Sequence, residues 1–257
     1  MNPWNTYCSR VGANGATKRD AILEREKRYL RTKLPSSLSY HTLLIDGEER
    51  SLAVINSDNL DTKTLCTMPG EDLPHGGYVQ WMDNYWLIIT KDVNNEVYTK
   101  AVMRQCNYLL KWIDDDDNII SRWCIVEDGT KYLTGEYGDR QYILERGDSR
   151  ISVILPRDKD TLKLNRKNRF LIDDYDSPNV LAYTLTKPFK LGSNYNGNGV
   201  LSFVMTECNT EDTDNLDLHI ADYYKHFPIV DSPAGGSATA TPTPAASAQG
   251  EGKKRWL

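Results

Sequence analysis

One continuous stretch, residues 75–112, constrains the fold more than any other part of the chain. It reads HGGYVQWMDNYWLIITKDVNNEVYTKAVMRQCNYLLKW and holds three of the six tryptophans. Its first segment, Tyr78-Val79-Gln80-Trp81, alternates apolar and polar residues, as a half-buried strand does. Met82-Asp83-Asn84 follows, and Asp and Asn favour turns because their side chains bond to the nearby backbone. Tyr85-Trp86-Leu87-Ile88-Ile89 then has the aromatic and β-branched composition of a second strand.

The rest of this stretch repeats the pattern of strand and turn. Asp92-Val93-Asn94-Asn95 forms a second turn signal, residues 97–103 resume strand character, and Tyr108-Leu109-Leu110-Lys111-Trp112 follows. Antiparallel strands joined by tight turns form a β-meander. The stretch therefore predicts a β scaffold and contains few of the residue types that usually carry catalysis.

Short strand patterns continue on both sides of this meander. Asp46-Gly47 and Asp128-Gly129 each have the composition of a hairpin turn. We expect strands at the segments that flank these turns and at the later apolar runs, namely residues 40–45, 51–55, 62–67, 119–126, 131–133, 141–144, 151–155, 169–172, 180–183 and 200–206. The sequence thus predicts a mainly β protein with one or two small antiparallel β-barrels.

The N-terminal region contains the one strong helix pattern. Residues 1–16 resemble an irregular arm, and Thr17 followed by Asp20 predicts a capped helix that runs to Lys33 before Pro35. Its apolar residues, Ile22, Leu23, Tyr29, Leu30 and Leu34, recur at helical spacing.

This predicted helix is basic, with seven positive and three negative side chains in a chain whose net charge is -5. One interpretation is a solvated face crossed by ion pairs such as Glu24–Arg28. The other is a docking helix for an acidic partner surface or for DNA phosphates, with Arg25, Arg28 and Arg31 as candidate contacts.

The second half of the chain repeats one motif of the first. Arg169-Phe170-Leu171-Ile172, an Asp-rich turn and Val180-Leu181-Ala182-Tyr183 match the order of Tyr85-Trp86-Leu87-Ile88, its turn and Val97-Tyr98. Either one small barrel has been duplicated or two generic hairpins look alike. We divide the chain into residues 1–36 (arm and helix), 37–113 (first barrel), 114–230 (second β-rich region) and 231–257 (tail).

The tail, residues 231–257, is rich in Pro, Ser, Thr, Ala and Gly and cannot bury a core. It ends in Lys253-Lys254-Arg255-Trp256-Leu257. It is predicted to be a flexible tail, or a linker whose terminal segment anchors on a partner.

Motifs for catalysis or for a cofactor are absent from the sequence. The four histidines form no zinc-binding pattern, and the sequence has no P-loop, no GxGxxG and no GxSxG. The five cysteines have no CxxC spacing, so we interpret them as buried thiols. No apolar run is long enough to span a bilayer, and residues 1–10 are polar and aromatic without the apolar core of a signal peptide. We therefore expect a protein of the cytoplasm that is not an enzyme and that has no cofactor, metal or membrane partner.

Two further features have a structural and a functional interpretation. The run Asp114, Asp115, Asp116, Asp117 lacks the alternating spacing and the glycine of a calcium loop, which favours an exposed charged loop. Trp81 and Trp86 belong either to the core or to an interface between subunits. The remaining possibility is that exposed aromatics stack the bases of a single-stranded nucleic acid. However, the mixed charges of residues 78–112 do not form a basic groove.

The basic helix of residues 17–34, followed by barrel hairpins such as GYVQWMDNYWLIITKDVNNEVYTKAVMRQCNYLLKW, resembles the head-completion (head-closure or stopper) proteins of tailed bacteriophages. The resemblance covers about residues 17–230 and includes no catalytic signature. The chain is about twice the size of the smallest members.

The resemblance implies a structural virion protein, assembled in the host cytoplasm, that forms a ring below the portal by head-to-tail contacts between copies. Its partners would be portal or adaptor proteins, tail proteins and the double-stranded DNA in the channel. Loops at residues 69–77, 114–118 or 192–199 would close the channel, with Asp114 to Asp117 on a lumen loop. A β-barrel that binds single-stranded nucleic acid or a host protein is the alternative.

Overall fold

The computed structural model confirms a mainly β protein. It describes residues 3–12, 17–128, 149–172, 180–190, 194–195 and 197–228. The predicted strands at residues 131–133 and 141–144, the Asp-rich turn at 173–179 and the tail at 231–257 lie outside these residues. The described strands are β1 Tyr40–Ile45, β2 Glu48–Asn56, β3 Thr62–Cys66, β4 Tyr78–Trp81, β5 Asn84–Asp92, β6 Lys100–Gln105, β7 Tyr108–Ile113, β8 Ile119–Asp128, β9 Arg150–Pro156, β10 Arg169–Ile172, β11 Leu181–Phe189, β12 Asn194–Tyr195 and β13 Asn198–Cys208.

The first six strands form a closed barrel in the order β1-β2-β3-β6-β5-β4, with β4 pairing back to β1. Two predicted turns of the barrel, Asp46-Gly47 and Met82-Asp83-Asn84, are present, whereas the predicted turn at Asp128-Gly129 extends outside the described residues. Asp46 and Gly47 have positive φ (49° and 84°), as do Met82 and Asp83 (50° and 60°). This two-residue geometry matches the twist of antiparallel strands. The barrel core contains Leu43, Ile45, Leu52, Val54, Leu65, Leu73, Val79, Trp86, Ile88, Ala101 and Met103.

The remaining strands form a second, curved sheet in the order β10-β11-β13-β9-β8-β7, with β12 paired to β13. Its two end strands, β7 and β10, lie close together. The Tyr108 hydroxyl on β7 donates to the Leu171 carbonyl on β10 (3.2 Å), and the Trp112 and Phe170 rings lie 6.3 Å apart. The sheet is therefore barrel-like but is closed by side chains rather than by a strand ladder. Its core includes Leu110, Leu155, Phe170, Leu185 and Phe203.

The two sheets have the same strand order. Read from β7, the second is β7-β8-β9-β13-β11-β10, which matches β1-β2-β3-β6-β5-β4 strand for strand when the short β12 is set aside. A duplicated unit would produce this match, although duplication itself stays a prediction. The equivalence differs from the sequence motif: β10 and β11 correspond to β4 and β5, whereas the motif aligned them with β5 and with Val97-Tyr98, which precede β6.

β7 corrects the predicted division after residue 113. This strand pairs with β8 and not with β6, so it belongs to the second sheet, and the barrel ends at Gln105. Its alternating burial is the same as that of a barrel strand. For this reason the sequence pattern alone could not assign it.

β5 joins the two sheets. Trp86 and Ile88 face the barrel core, whereas Tyr85, Leu87 and Ile89 pack against the second sheet. In this seam Leu87 meets Ile125 and Val200 of the second sheet. Burial on both faces explains why Tyr85-Trp86-Leu87-Ile88-Ile89 is apolar throughout instead of alternating.

Hydrogen bonds and ring stacking reinforce the seam. The Tyr78 hydroxyl donates to the Trp123 carbonyl (2.5 Å), and the Tyr85 and Trp123 rings stack at 5.0 Å. Arg104 on β6 pairs with Asp61 of the barrel and with Glu127 of the second sheet. The two sheets therefore pack as one body.

Two helices precede the barrel. α1 spans Pro3–Gly12, which corrects the predicted irregular arm, and proline at the first position is compatible with a helix because its missing N–H needs no partner there. α2 spans Lys18–Lys33 and begins with the predicted capping box: Thr17 Oγ1 accepts from Asp20 N (3.1 Å), and Thr17 N donates to Asp20 Oδ2 (3.0 Å).

An ion cluster fastens the segment after β13 to the edge of the second sheet. Arg169 on β10 donates to Asp214 (3.0 and 2.9 Å), to Asp222 (2.9 Å) and to the Asn209 carbonyl (2.9 Å). The Asp214 side chain is fully buried, so its charge depends on Arg169 for compensation. The segment ends in a short helical turn, Tyr223–His226.

Candidate interaction surfaces

α2 is an exposed helix, and none of its sixteen residues is buried. Arg25, Arg28 and Arg31 all lie on its surface. Its acidic residues form local pairs, with Lys27 3.2 Å from Glu24 and Arg25 3.3 Å from Glu26. Arg19 reaches Glu96, in the turn after β5, at 2.6 Å. Since no residue of the helix is fully buried and Arg25, Arg28 and Arg31 are exposed, its basic side can contact another molecule.

The apolar residues of α2 do not form one face. Leu23 and Leu30 are half-buried, whereas Ile22 and Tyr29 are 45% and 58% exposed. A groove lined by Lys18, Ala21, Ile22, Arg25 and Arg28 runs along the exposed side. Ile22, Arg25 and Tyr29 follow i, i+3, i+7 spacing, so α2 presents a mixed apolar and basic stripe to solvent.

The four aspartates lie in the hairpin between β7 and β8, where Asp115, Asp116 and Asp117 are exposed, as predicted, and the Asp114 side chain is only 8% exposed. Asp114 is the structural member: its Oδ1 accepts from the backbone N–H groups of Asn118 (2.9 Å) and Asp116 (3.0 Å). The hydrogen bond from Asn118 lowers the pKa of Asp114, with that from Asp116 acting in the same direction. Asp117 has a φ of 61° and pairs with His226 at 2.6 Å. Asp115 and Asp116 point a negative charge into solvent.

The loop at residues 69–77 is held to the barrel and does not project as a free gate. Asp72 pairs with Lys91 at 2.5 Å, and its carbonyl accepts from Arg50 (2.8 Å). His75 Nε2 bonds the Ile89 carbonyl (3.0 Å), and Gly76 N donates to the Ile88 carbonyl (3.0 Å). The loop therefore lies against the barrel in this structure, and closure of a channel by it stays a prediction.

The same loop touches the second sheet. A Cβ on Gly76 would lie 1.9 Å from the Gly199 carbonyl oxygen, and the φ of Gly76 is +81°. Two of the predicted loops, 69–77 and 192–199, thus meet at this point. Part of the second loop lies outside the described residues.

A cleft of about 420 Å³ opens beside this contact. It is lined by Arg50, Asp72, Leu73, Pro74, His75, Lys91 and Asn198. Its two cations are already engaged by Asp72 and, for Arg50, also by Glu48 (2.9 Å). The cleft therefore presents nearly balanced charge.

Trp81 and Trp86 pack in the barrel core rather than forming an exposed aromatic platform. Trp86 is 4% exposed inside the barrel, so of the two predicted alternatives it belongs to the core and not to an interface. Trp81 is half-buried, packs on the same core, and its ring lies 5.8 Å from the Trp86 ring. Base stacking needs rings open to solvent. This placement therefore gives no support to single-strand binding by these two residues.

Four of the five cysteines, Cys66, Cys106, Cys124 and Cys208, are buried or half-buried, and Cys8 on α1 is exposed. Burial raises the pKa of Cys106 to about 12, so its thiol stays protonated. Within the described residues, no three His, Cys, Asp or Glu side chains are grouped so that they could hold a metal ion. No helix in that part of the chain is long and apolar enough to cross a membrane.

One end of the barrel carries exposed apolar and acidic side chains that the sequence analysis missed. Leu38, Ile55, Leu60 and Met82 are exposed there, together with Asp58 and Asp83, and we call these six residues the barrel rim. Residue type could not reveal them, because leucine and methionine in a β-rich sequence are expected in the core.

Comparison with known proteins gives one match. Residues 14–105 match the family model of the YomX N-terminal domain, which covers 92 of the 257 residues. The match ends at the last residue of β6, so it includes α2 and the whole first barrel. No curated protein and no solved structure matches the chain. The matched family is phage-derived, and α2 with the first barrel is therefore similar to a phage domain, which supports a phage protein.

Proposed function

We propose that the protein is a structural, non-enzymatic component of a phage particle, and that it acts as a head-closure or stopper protein of the head–tail connector. The observation that carries this proposal is the match of residues 14–105 to a phage-derived domain that coincides with a basic helix and a closed barrel. The proposed partners are further copies of the chain, portal or adaptor proteins, tail proteins and packaged double-stranded DNA.

The rigidity of the body supports a role as a wall. A barrel without free strand edges resists deformation and does not add strands from other proteins. The seam of Leu87, Ile125 and Val200 fixes the second sheet against it. Copies with this shape would form a ring through heterologous contacts, which close when the rotation between neighbours divides a full turn.

The charge distribution supports contact with DNA and with a neighbour. The hairpin of Asp114 to Asp117 carries exposed carboxylates, which repel phosphates and suit a lumen through which DNA slides. α2 carries the opposite charge on a helix that the body does not bury. We assign the hairpin to the channel and α2 to docking on an acidic protein surface.

The first test is incorporation into particles. We expect the wild-type protein to co-sediment with phage particles and to form rings visible by negative-stain electron microscopy. Reversal of Arg25, Arg28 and Arg31 to Glu should abolish incorporation while circular dichroism shows a folded barrel. The matched control reverses three exposed lysines elsewhere, Lys100, Lys159 and Lys187. Normal incorporation of the arginine variant would rule out docking through α2.

The alternative of a barrel that binds single-stranded nucleic acid makes a different prediction. Affinity for an oligonucleotide should then fall steeply with salt and should be lost in Trp81→Ala. Because Trp81 packs on the barrel core, we expect no such affinity. A salt-dependent complex that Trp81→Ala abolishes would favour the alternative.

A further inference from the structure

The six residues of the barrel rim lie at the same end of the barrel. Leu38 precedes Ser39, whose carbonyl accepts from Val54 N (2.8 Å), so Leu38 and Ile55 lie at the same end of β1 and β2. Leu60 and Asp58 belong to the turn from β2 to β3 at that end. The His41 ring lies 5.8 Å from Trp81, which brings the turn of Met82 and Asp83 to the same end.

This surface is uncovered to an unusual degree. Leu38 is 99% exposed, Leu60 88% and Met82 65%. Single exposed apolar residues are common, but a group of four at one end of a barrel is typical of an interaction surface. Asp58 and Asp83 stand among them as exposed carboxylates, so the rim combines apolar contact area with negative charge.

The stripe on α2 has the complementary composition. Ile22 and Tyr29 provide apolar area, and Lys18 and Arg25 provide positive charge on the same side of the helix. The charge imbalance extends to whole regions: residues 1–36 carry eight basic and three acidic side chains, against 23 and 33 in the rest of the chain. Within one copy, α2 does not cover the barrel rim, whose apolar residues are exposed.

We propose that the α2 stripe of one copy docks on the barrel rim of a second copy. Ile22 and Tyr29 would pack against Leu38 and Leu60, and Lys18 and Arg25 would pair with Asp58 and Asp83. The inference rests on the proposed ring, and it supplies the heterologous contact that such a ring needs, since the two surfaces differ. Desolvated apolar contacts flanked by charge pairs are a common composition for such interfaces.

The test is a charge exchange between the two surfaces in the full chain, read by native mass spectrometry and sedimentation. The arm variant carries Lys18→Glu and Arg25→Glu, and the rim variant carries Asp58→Lys and Asp83→Lys. We expect each to weaken self-association about tenfold or more, because attraction at close range becomes repulsion. A chain that carries both sets should regain assembly, because the pairs are restored with opposite sign.

The control variant carries Lys27→Glu and Lys159→Glu, which reverse two charges outside the α2 stripe and the barrel rim and should leave assembly unchanged. A second variant, Leu60→Ser, should weaken assembly without loss of stability because Leu60 is already in water. Failure of the combined variant to regain assembly would overturn the pairing of these two surfaces.

Two outcomes separate this inference from the proposed function. Rings that form normally from the arm and rim variants would overturn the inference and leave the connector role standing. A wild-type chain that stays monomeric at every concentration would overturn the contact between copies, whereas incorporation into particles would still test the virion role independently.

Discussion

At the residue scale, local backbone chemistry was predictable and exposure was not. Thr17 with Asp20 predicted the capping box, and Asp46-Gly47 predicted a two-residue hairpin turn, because each signal depends only on neighbours in sequence. The sequence did not show that Trp86 lies in the core and Leu60 in solvent. Their environments are set by contacts between distant segments, which residue type does not encode.

Gly76 gives a prediction at this scale. Gly76→Ala should destabilise the protein by about 3 kcal/mol or more, from a left-handed backbone and from a collision with rigid backbone atoms. The Cβ would meet the Gly199 carbonyl oxygen at 1.9 Å, so backbone must move. Chemical denaturation measures the loss.

Gly47 is the matched control, because its φ is +84° and a Cβ there would meet nothing within 4 Å. Gly47→Ala should lower the free energy of unfolding by only about 1 kcal/mol, because only the left-handed backbone conformation disfavours alanine there. Equal losses for the two variants would show that the contact with Gly199 is not needed for stability.

At the scale of elements, strands and α2 followed their sequence patterns, and two assignments failed for identifiable reasons. α1 was missed because Gly12, Asn14 and Gly15 dominated the composition of the N-terminal region. β7 was assigned to the wrong sheet because its alternating buried and half-buried residues bury one face whichever sheet the strand joins. Pairing between strands is a long-range property, and only the fold shows it.

The cluster around Arg169 gives a prediction for one element. Arg169→Met should destabilise the protein by about 3–5 kcal/mol, because it leaves the carboxylate of Asp214 buried without compensation. Hydrogen exchange should become faster in residues 209–228 before the barrel is affected. Arg169→Met combined with Asp214→Asn should recover part of the loss. Unchanged exchange in that segment would show that other contacts hold it.

The turn after β9 gives a pH prediction. Burial alone would raise the pKa of Asp158, but the hydrogen bond from Arg122 (2.7 Å) and that from Thr161 N lower it below its ordinary value. A carboxyl group with a lowered folded pKa adds stability above its unfolded pKa of about 3.9 and loses it as the pH falls through the folded value.

We therefore expect the melting temperature to fall as the solution is acidified below about pH 4. Asp158→Asn should lower it at pH 7 and should flatten this acid-dependent fall. Asp115→Asn on the exposed hairpin is the control and should change neither. If the melting temperature of Asp158→Asn fell below pH 4 as steeply as that of the wild type, other carboxylates would cause the acid sensitivity.

At the scale of the whole molecule, the sequence predicted a β-rich body with a basic helix but could not predict that the second sheet packs against the outer face of β5. The continuous apolar run of that strand was the available signal, since a strand buried on both faces has no polar side. The match of residues 14–105 ends where the first barrel ends, which agrees with the sheet boundary rather than with the predicted division after residue 113.

The seam gives a prediction for the whole body. The wild-type protein should unfold in one transition, because Leu87, Ile125 and Val200 bury a shared surface. Leu87→Ser should uncouple the two sheets and produce two transitions in calorimetry. Tyr78→Phe is the control: it removes only the hydrogen bond to Trp123, should cost about 1 kcal/mol, and should keep one transition. One transition in Leu87→Ser would show that other contacts maintain the coupling.

The closed ladder of the first barrel limits how this protein can evolve new associations. Every strand of the barrel is already paired on both sides, so no free backbone N–H or C=O groups remain at an edge to pair with a partner strand. Recognition of a partner by the barrel therefore depends on its surface side chains. Single substitutions on the surface can then change which partner the barrel binds while the fold is preserved. Such an architecture suits lineages whose components are frequently exchanged between genomes.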